Sequence, residues 1–381
     1  MSANLFSNVC QITNKSDDPD TFVLIDANHK VSIHVVGWVI SAIFTIEASL
    51  IAFYQMKQQW KYYNRPEHQR YIVRLIFLVP MYTIMTWLSY FFLKYSVYFI
   101  VIRDTYQAFA THSFFNLLLN SLGETDGDRK EELRKLSDNL HMKHKSETLK
   151  VYTFINCPYL TPKYLKNLRF GILQYVFILY FTTGIGLALA FIGKYCEEMF
   201  SIYFGQIYIV IIQTISGLVA NLSLNMLSKP VTAYVQFIDS VGRQNTDKKL
   251  QNQLFWRGIC VFMALFVISY QGHAISIFIF LGKITPTTYW TPLDISRGIQ
   301  AILVSIELFI VALLQVKAFP YRQYRPENRQ TSSIFKSMID SMNPFDLIKE
   351  CLFYIFCCGM RRRDKNRNSY NTRDSYLSHR S

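Results

Sequence analysis

The chain has 381 residues, of which 51% are hydrophobic and 16% aromatic. Long apolar runs recur along it, which excludes an ordinary soluble globule and points to an all-α protein that crosses a membrane several times. A net charge of +14 suggests nucleic acid in a soluble protein; here the basic residues fall between the apolar runs and no nucleic-acid-binding motif is present, so the charge reads as membrane topology and no nucleic-acid partner is expected.

Residues 1–30 are polar and contain NKSDDPD. No cleavable leader is evident, and the first apolar run is too long for a signal-peptide core, so the first span is expected to act as its own targeting signal. Asn14 opens the sequon Asn14-Lys15-Ser16 and becomes a glycan acceptor if this terminus is lumenal.

Seven segments carry the roughly 20 apolar residues that a spanning helix needs: 31–54, 71–93, 95–119, 168–192, 200–227, 258–281 and 293–317. Lys57, Lys61, Arg65 and Arg70 lie between the first two. The charged stretch 124–167 lies between the third and fourth, and Lys229, Arg243, Lys248, Lys249 and Arg257 lie between the fifth and sixth. The opposite connections hold only Lys15, Lys30, Lys94, Lys194 and Lys283. This bias places the amino terminus outside or lumenal and the carboxyl terminus in the cytosol. The outer loops are short, with a tight hairpin at Lys94. No internal repeat is visible, so an inverted-repeat transporter design is not supported. The seven cysteines lack metal-ligand spacing. Under this topology only Cys10 and Cys196 face outward, and they are the candidates for a disulfide.

The third span is the most polar. At about 100° per residue, Arg103, Gln107, Ala110, Thr111, Phe114 and Leu118 share one face. His112, Asn116 and Asn120 share a nearly opposite one, and Asp104 reaches Gln107 and Thr111. Arg103 and Asp104 therefore need not pair with each other, and a helix polar on two faces belongs at the centre of a bundle. The fifth span puts Gln206, Gln213, Gly217, Ala220 and Asn221 on one stripe. The sixth holds Gln271 and His273, and the seventh Gln300 and Glu307. The first has a small-residue stripe, Gly37, Ser41, Ala48 and Ala52, with Glu47 on another side; such stripes allow close helix packing. Ionisable groups inside a membrane are costly, so Arg103, Asp104, Gln107, His112, Gln271 and Glu307 read either as interhelical glue or as a polar path for a substrate.

The tail from 320 is basic. Residues 332–356 fit an amphipathic helix lying on the bilayer, with Pro344 as a break or start. Cys351, Cys357 and Cys358 sit beside aromatics and Arg361–Arg363, a setting that suits S-palmitoylation and anionic lipid. Phe345 and Ile348 frame the aromatic-x-x-aliphatic core FDLI, of the kind ubiquitin-like autophagy modifiers bind. The segment beyond is polar and expected to be disordered.

Catalytic signatures such as HExxH, GxSxG or a phosphate-cradling glycine loop are absent, and no enzyme activity, metal or other cofactor is expected. A seven-span receptor is disfavoured: Arg103-Asp104 lies in the outer half of span three rather than at its cytosolic end, and Asn343-Pro344 lies in the tail rather than in span seven.

Several stretches, in order, resemble one family. RPEHQRYIVRLIFLVPMYTIMTWLS (65–89) is similar to its motif PxxQRxIVRIxxxVPxYxxxSWLS, and IRDTYQAF running on to NLLLNSLG is similar to VRDxYEAFxxYxFxxLxxxxLGG. LRFGILQY (168–175), GKY (193–195), SYQG (269–272), IQAILVSIELFIVALLQVKAFPY (299–321) and NPFDLIKE (343–350) resemble later blocks. The family is that of the organic solute transporter alpha subunit, including the transmembrane protein 184-type proteins, and the likeness covers about 31–350. It implies seven spans with the amino terminus outside. For some members it implies movement of amphipathic, sterol- or lipid-like organic solutes with a small single-span accessory subunit, and for others a vacuolar or lysosomal membrane. Two positions depart from the pattern: a cysteine cluster before span four is reduced to Cys157-Pro158, and the second glycine of LGG is Glu124. The function expected is binding or transport of amphipathic solutes; the alternative is a membrane scaffold that recruits cytosolic partners through its tail.

Overall fold

The computed structural model describes residues 33–122, 162–192, 205–240, 292–324 and 333–349 without 346, together with Gly127, Glu131 and isolated positions between 268 and 283. Among the described residues the regular structure is entirely helical. Seven α-helices follow in chain order: α1 Ile33–Lys61, α2 Pro66–Phe91, α3 Ser96–Leu122, α4 Pro162–Phe191, α5 Gly205–Ser240, α6 Pro292–Ala318 and the short α7 Ile334–Met342. Prolines open α2, α4 and α6, where the missing N–H would be unpaired anyway. Of the sixth expected span only isolated positions are described, and 268, 270–272, 274, 275 and 278 are helical.

Among the described residues five helices are long and apolar enough to cross a membrane: α1, α2, α4, α5 and α6. Helix α3 is not among them, because Arg103, Asp104 and its amide side chains dilute its hydropathy. Its surroundings account for that composition. It lies against α2, α4 and α5, while α6 lies against α1 and α2, and residues 108–116 are buried on every side of the helix. Over 108–116 the helix meets protein on all sides and needs no apolar outer face, whereas its first half does expose Tyr98 and Ile102.

The helices outrun the apolar windows. Helix α1 continues past 54 to Lys61, α4 begins at Pro162 inside the stretch read as loop, and α5 runs past 227 to Ser240. Hydropathy marks only the part that needs hydrocarbon; the backbone ladder carries on where polar flanks are wetted. The hairpin expected at Lys94 is a single 3₁₀ turn, Leu93–Tyr95, in which the Tyr95 N–H donates to the Phe92 carbonyl at 3.0 Å.

The small stripe of α1 does what its composition suggests: Gly37, Ser41, Ala48 and Ala52 are buried, while Glu47 is exposed. A Cβ on Gly37 meets the Tyr90 hydroxyl at 2.9 Å and Ile302 at 3.1 Å, and one on Gly298 meets the Tyr90 ring at 2.9 Å. The two glycines admit the Tyr90 ring between α1 and α6, where its hydroxyl donates to the His34 carbonyl at 3.2 Å. Gly37→Ala is expected to cost about 1–3 kcal/mol, the usual penalty of overpacking, read as a lower unfolding midpoint of the purified protein in detergent. An unchanged midpoint would show that the ring can yield.

Of the tail segment 332–356 the residues 333–349 without 346 are described, and they show the interruption at Pro344 that the sequence allowed. Helix α7 stops at Met342, and a new turn starts at Pro344: the Asn343 side-chain oxygen accepts from the Phe345 N–H at 3.0 Å, and the Ile348 N–H donates to the Pro344 carbonyl at 3.2 Å. Proline cannot continue a helix that needs its N–H, but it starts one readily.

Candidate functional site

The ionic centre of the bundle lies on α3. The Arg103 Nε–H donates to Asp104 Oδ1 at 2.9 Å, and the guanidinium sits over the Tyr82 ring at 4.8 Å. The two residues do pair, a choice the wheel argument left open. Their Cα–Cβ vectors diverge by about 100°, yet the arginine stem is long enough to curl back, and a low-dielectric site rewards the nearest counter-charge. Around this pair, Tyr175 of α4 stands within charge range of Asp104, Tyr82 and Tyr270. Tyr270 precedes Gln271 in the sequence, and a Cβ on Gly217 of α5 meets its hydroxyl at 2.8 Å. Tyr82 of α2 and Tyr175 of α4 thus stand by the ion pair of α3, and Tyr270 lies between Tyr175 and Gly217 of α5. The Gln213 Nε2 on α5 donates to the Thr182 hydroxyl of α4 at 2.9 Å nearby in the same layer of helices.

The other residues that the sequence offered as a polar path are distributed along the bundle. Gln107 is one turn further along α3, half-buried, and its carbonyl accepts from the Thr111 hydroxyl at 2.9 Å. His112 is fully buried, with its Nε2 3.2 Å from the Asn116 amide nitrogen, the i, i+4 partner on its own face. Gln271 is half-buried. Its neighbour Gly272 is backed by Gln300 of α6, whose Nε2 lies 2.6 Å from where a Cβ would stand. Glu307 follows two turns later on the same face of α6, and its Oε2 is buried without a hydrogen-bond partner.

Sequence reasoning passed over a second polar centre, at the end of the bundle that carries the α1–α2 turn. Gln55 Nε2 donates to the carbonyls of Gln315 at 2.9 Å and Phe319 at 3.2 Å, and Gln59 Nε2 donates to Phe319 at 3.1 Å. The Phe319 carbonyl lies just past the end of α6, and the Gln315 carbonyl also accepts from the Phe319 N–H at 2.8 Å. Gln69 is fully buried; its Oε1 accepts from the N–H groups of Asn64 and Arg65 at 2.8 Å each, and its Nε2 donates to Gln59 at 3.1 Å and to the Tyr62 carbonyl at 2.8 Å. Gln315 closes the set by donating to the Leu75 carbonyl at 3.1 Å. Arg74, also fully buried, lies in the next turn of α2. Its Nε donates to the Ser341 carbonyl at 2.8 Å, and its guanidinium covers the rings of Tyr71 at 5.3 Å and Phe109 of α3 at 4.8 Å. The signal was present: Gln69 and Arg74 belong to PEHQRYIVR, and Gln315 to ALLQVKAFPY.

In the tail, Phe345 and Ile348 are both exposed, three residues apart. Asp346, the cysteines Cys351, Cys357 and Cys358, the sequon at Asn14, Cys10 and Cys196, His273, the Gln206 side chain and nearly all of the loop 124–167 lie outside the described residues. No group of three or more His, Cys, Asp or Glu suited to a metal occurs among the described residues.

Comparison with known proteins adds the last element. The chain is 28% identical over 294 residues to a transmembrane protein 184 homolog of Dictyostelium discoideum, covering 76% of this chain and 54% of that protein. It is 25% identical over 301 residues to Protein LAZ1 homolog 2 of Arabidopsis thaliana, covering 77% of this chain and 70% of the plant protein. The chain therefore spans about half the length of the Dictyostelium relative. No solved structure matches. The family described as Organic solute transporter Ostalpha matches across residues 37–324, from the small stripe of α1 to the turn after α6, and the chain belongs to that family.

Proposed function

We propose that this membrane protein binds amphipathic organic solutes, sterol- or lipid-like, and lets them cross an endomembrane of vacuolar or lysosomal type, as a seven-span bundle with a lumenal amino terminus and a cytosolic tail. The observation that carries the proposal is the Arg103–Asp104 pair with the Tyr82 ring on the guanidinium and Tyr175 beside the carboxylate. A guanidinium presents several N–H donors in a planar fork that matches the oxygens of an anionic headgroup. Gln107, His112, Gln271 and Glu307 then mark a polar path along which such a headgroup moves while the apolar body rides the tyrosine rings. The mechanism is passive, with no covalent step. A small single-span accessory subunit, a glycan on Asn14 and acyl chains on Cys351, Cys357 and Cys358 complete this reading. Uptake of a sulfated sterol into proteoliposomes tests it: Arg103→Ala and Glu307→Gln should each slow uptake several-fold, and equal uptake by all three proteins removes the path.

The exposure of Phe345 and Ile348 favours a second reading, a scaffold that recruits a ubiquitin-like autophagy modifier. Replacing both by alanine should abolish capture by the immobilised modifier while leaving solute uptake intact; unaltered capture discards the idea. Deleting 332–381 separates the two readings, since a scaffold then fails and a carrier that still folds does not.

A further inference from the structure

Helix α7 is turned inside out. Its two buried residues are serines, Ser337 at 3% and Ser341 at 0% exposure, while Ile334, Phe335 and Ile339 stand 42%, 67% and 54% exposed. A short helix docked on a soluble protein does the reverse. The polar edge is fixed in place by four side chains from α1, the α1–α2 turn and α2. The Trp60 indole N–H donates to the Ser341 hydroxyl at 3.0 Å, the Tyr63 hydroxyl donates to Asp340 Oδ2 at 2.7 Å, Arg70 donates to both Asp340 oxygens at 3.2 and 3.3 Å, and Arg74 takes the Ser341 carbonyl at 2.8 Å. Burial, together with the Asp340 carboxylate, raises the Tyr63 phenol above its ordinary value, so it stays the donor at physiological pH.

The place of these anchors decides what the apolar edge meets. Trp60 and Tyr63 sit where the apolar stretch of α1 gives out at Lys61, and Arg70 lies in the first turns of α2. This is the level at which aromatic residues gather at a membrane surface, and Tyr62 stacks on Tyr321 there, 6.0 Å between centroids. Lys57, Lys61, Arg322 and Lys336 are exposed around it, a basic rim that suits anionic headgroups. We propose that α7 is a strut lying in the membrane surface, its polar edge bolted to α1 and α2 and its apolar edge, Ile334, Phe335 and Ile339, seated among the lipid acyl chains at that end of the bundle. Exposed apolar area then costs nothing, and the serines face inward because the protein supplies their partners. The strut also touches the ionic centre's own helix at one remove, since Arg74 stacks on Phe109 of α3 and the Arg74 carbonyl accepts from the Tyr106 hydroxyl at 2.9 Å.

The full chain with its native cysteines replaced, and a single cysteine placed at Phe335, Ile339 or Lys336, tests this after reconstitution into phosphatidylcholine vesicles with or without phosphatidylserine. A polarity-sensitive fluorophore at 335 and 339 should be blue-shifted and quenched several-fold more by nitroxide on the lipid chain than by aqueous iodide, with the order reversed at 336. Phosphatidylserine should strengthen the lipid quenching through the basic rim. Equal iodide quenching at all three positions places the helix in water and overturns the proposal. Protection from both quenchers at 335 and 339 assigns the face to protein and overturns it equally. Because the variants alter the outer edge only, loss of the anchoring contacts is controlled by a fourth labelled protein carrying Asp340→Ala, in which the label at 335 should remain in lipid.

Discussion

Arg74→Ala should lower the stability of the folded protein by about 3 kcal/mol, more than any other single substitution at that end of the bundle. The magnitude follows from full burial. Alanine deletes a charge-assisted hydrogen bond to the Ser341 carbonyl, leaves that carbonyl without its donor, and opens a hole between the rings of Tyr71 and Phe109. The neighbouring Arg70–Asp340 pair is the useful comparison. Its contacts are longer, 3.2 and 3.3 Å, and its side chains are 26% and 41% exposed, so water screens it and Arg70→Ala should cost less than about 1 kcal/mol. Arg74→Lys should fall between, since an ammonium keeps the charge but has no flat face to lie on two rings. Unfolding midpoints of the four proteins in detergent provide the check, and a larger loss for Arg70→Ala than for Arg74→Ala would overturn the ranking.

Arg74 also shows where a sequence stops being legible. Apolar runs mark the helices because hydrocarbon demands about 20 such residues regardless of neighbours, and a helix polar on two faces, as α3 is, can be judged central before any contact is known. The small residues of α1 were legible for the same reason: only a packed face tolerates them at that spacing. The Arg103–Asp104 pairing was not, because a wheel locates Cβ atoms and says nothing of where a long side chain ends. The glutamines failed differently. Gln55, Gln59, Gln69 and Gln315 matter through the carbonyls of helix ends and the N–H groups of a turn, and which end meets which amide is a tertiary fact. Helix α7 inverts the usual sign: its period was readable, but an amphipathic pattern does not say which edge the protein takes and which the lipid takes.

The Arg103–Asp104 pair offers the sharpest test of whether the polar centre binds anything. The side chains are 11% and 24% exposed, so breaking the pair from one side leaves a poorly solvated charge, at a cost of about 2–4 kcal/mol once partial solvation is allowed for. Arg103→Ala and Asp104→Asn should each lower the unfolding midpoint, and each should cut uptake of an anionic amphiphile at least tenfold. The double variant separates the causes. With both charges gone neither member of the pair is left without its counter-charge, and the midpoint should recover part of the loss. If the pair only holds α3 in place, uptake returns with it. If Arg103 receives the anionic headgroup, uptake of the sulfated sterol stays low in the refolded double variant while a neutral sterol of the same shape still crosses. Arg103→Lys adds a third reading, because an ammonium attracts the anion but cannot lie on Tyr82 while donating sideways to Asp104. A headgroup site should then weaken in affinity with its maximal rate largely kept, whereas a purely structural pair should lose stability with no change in the concentration that half-saturates uptake.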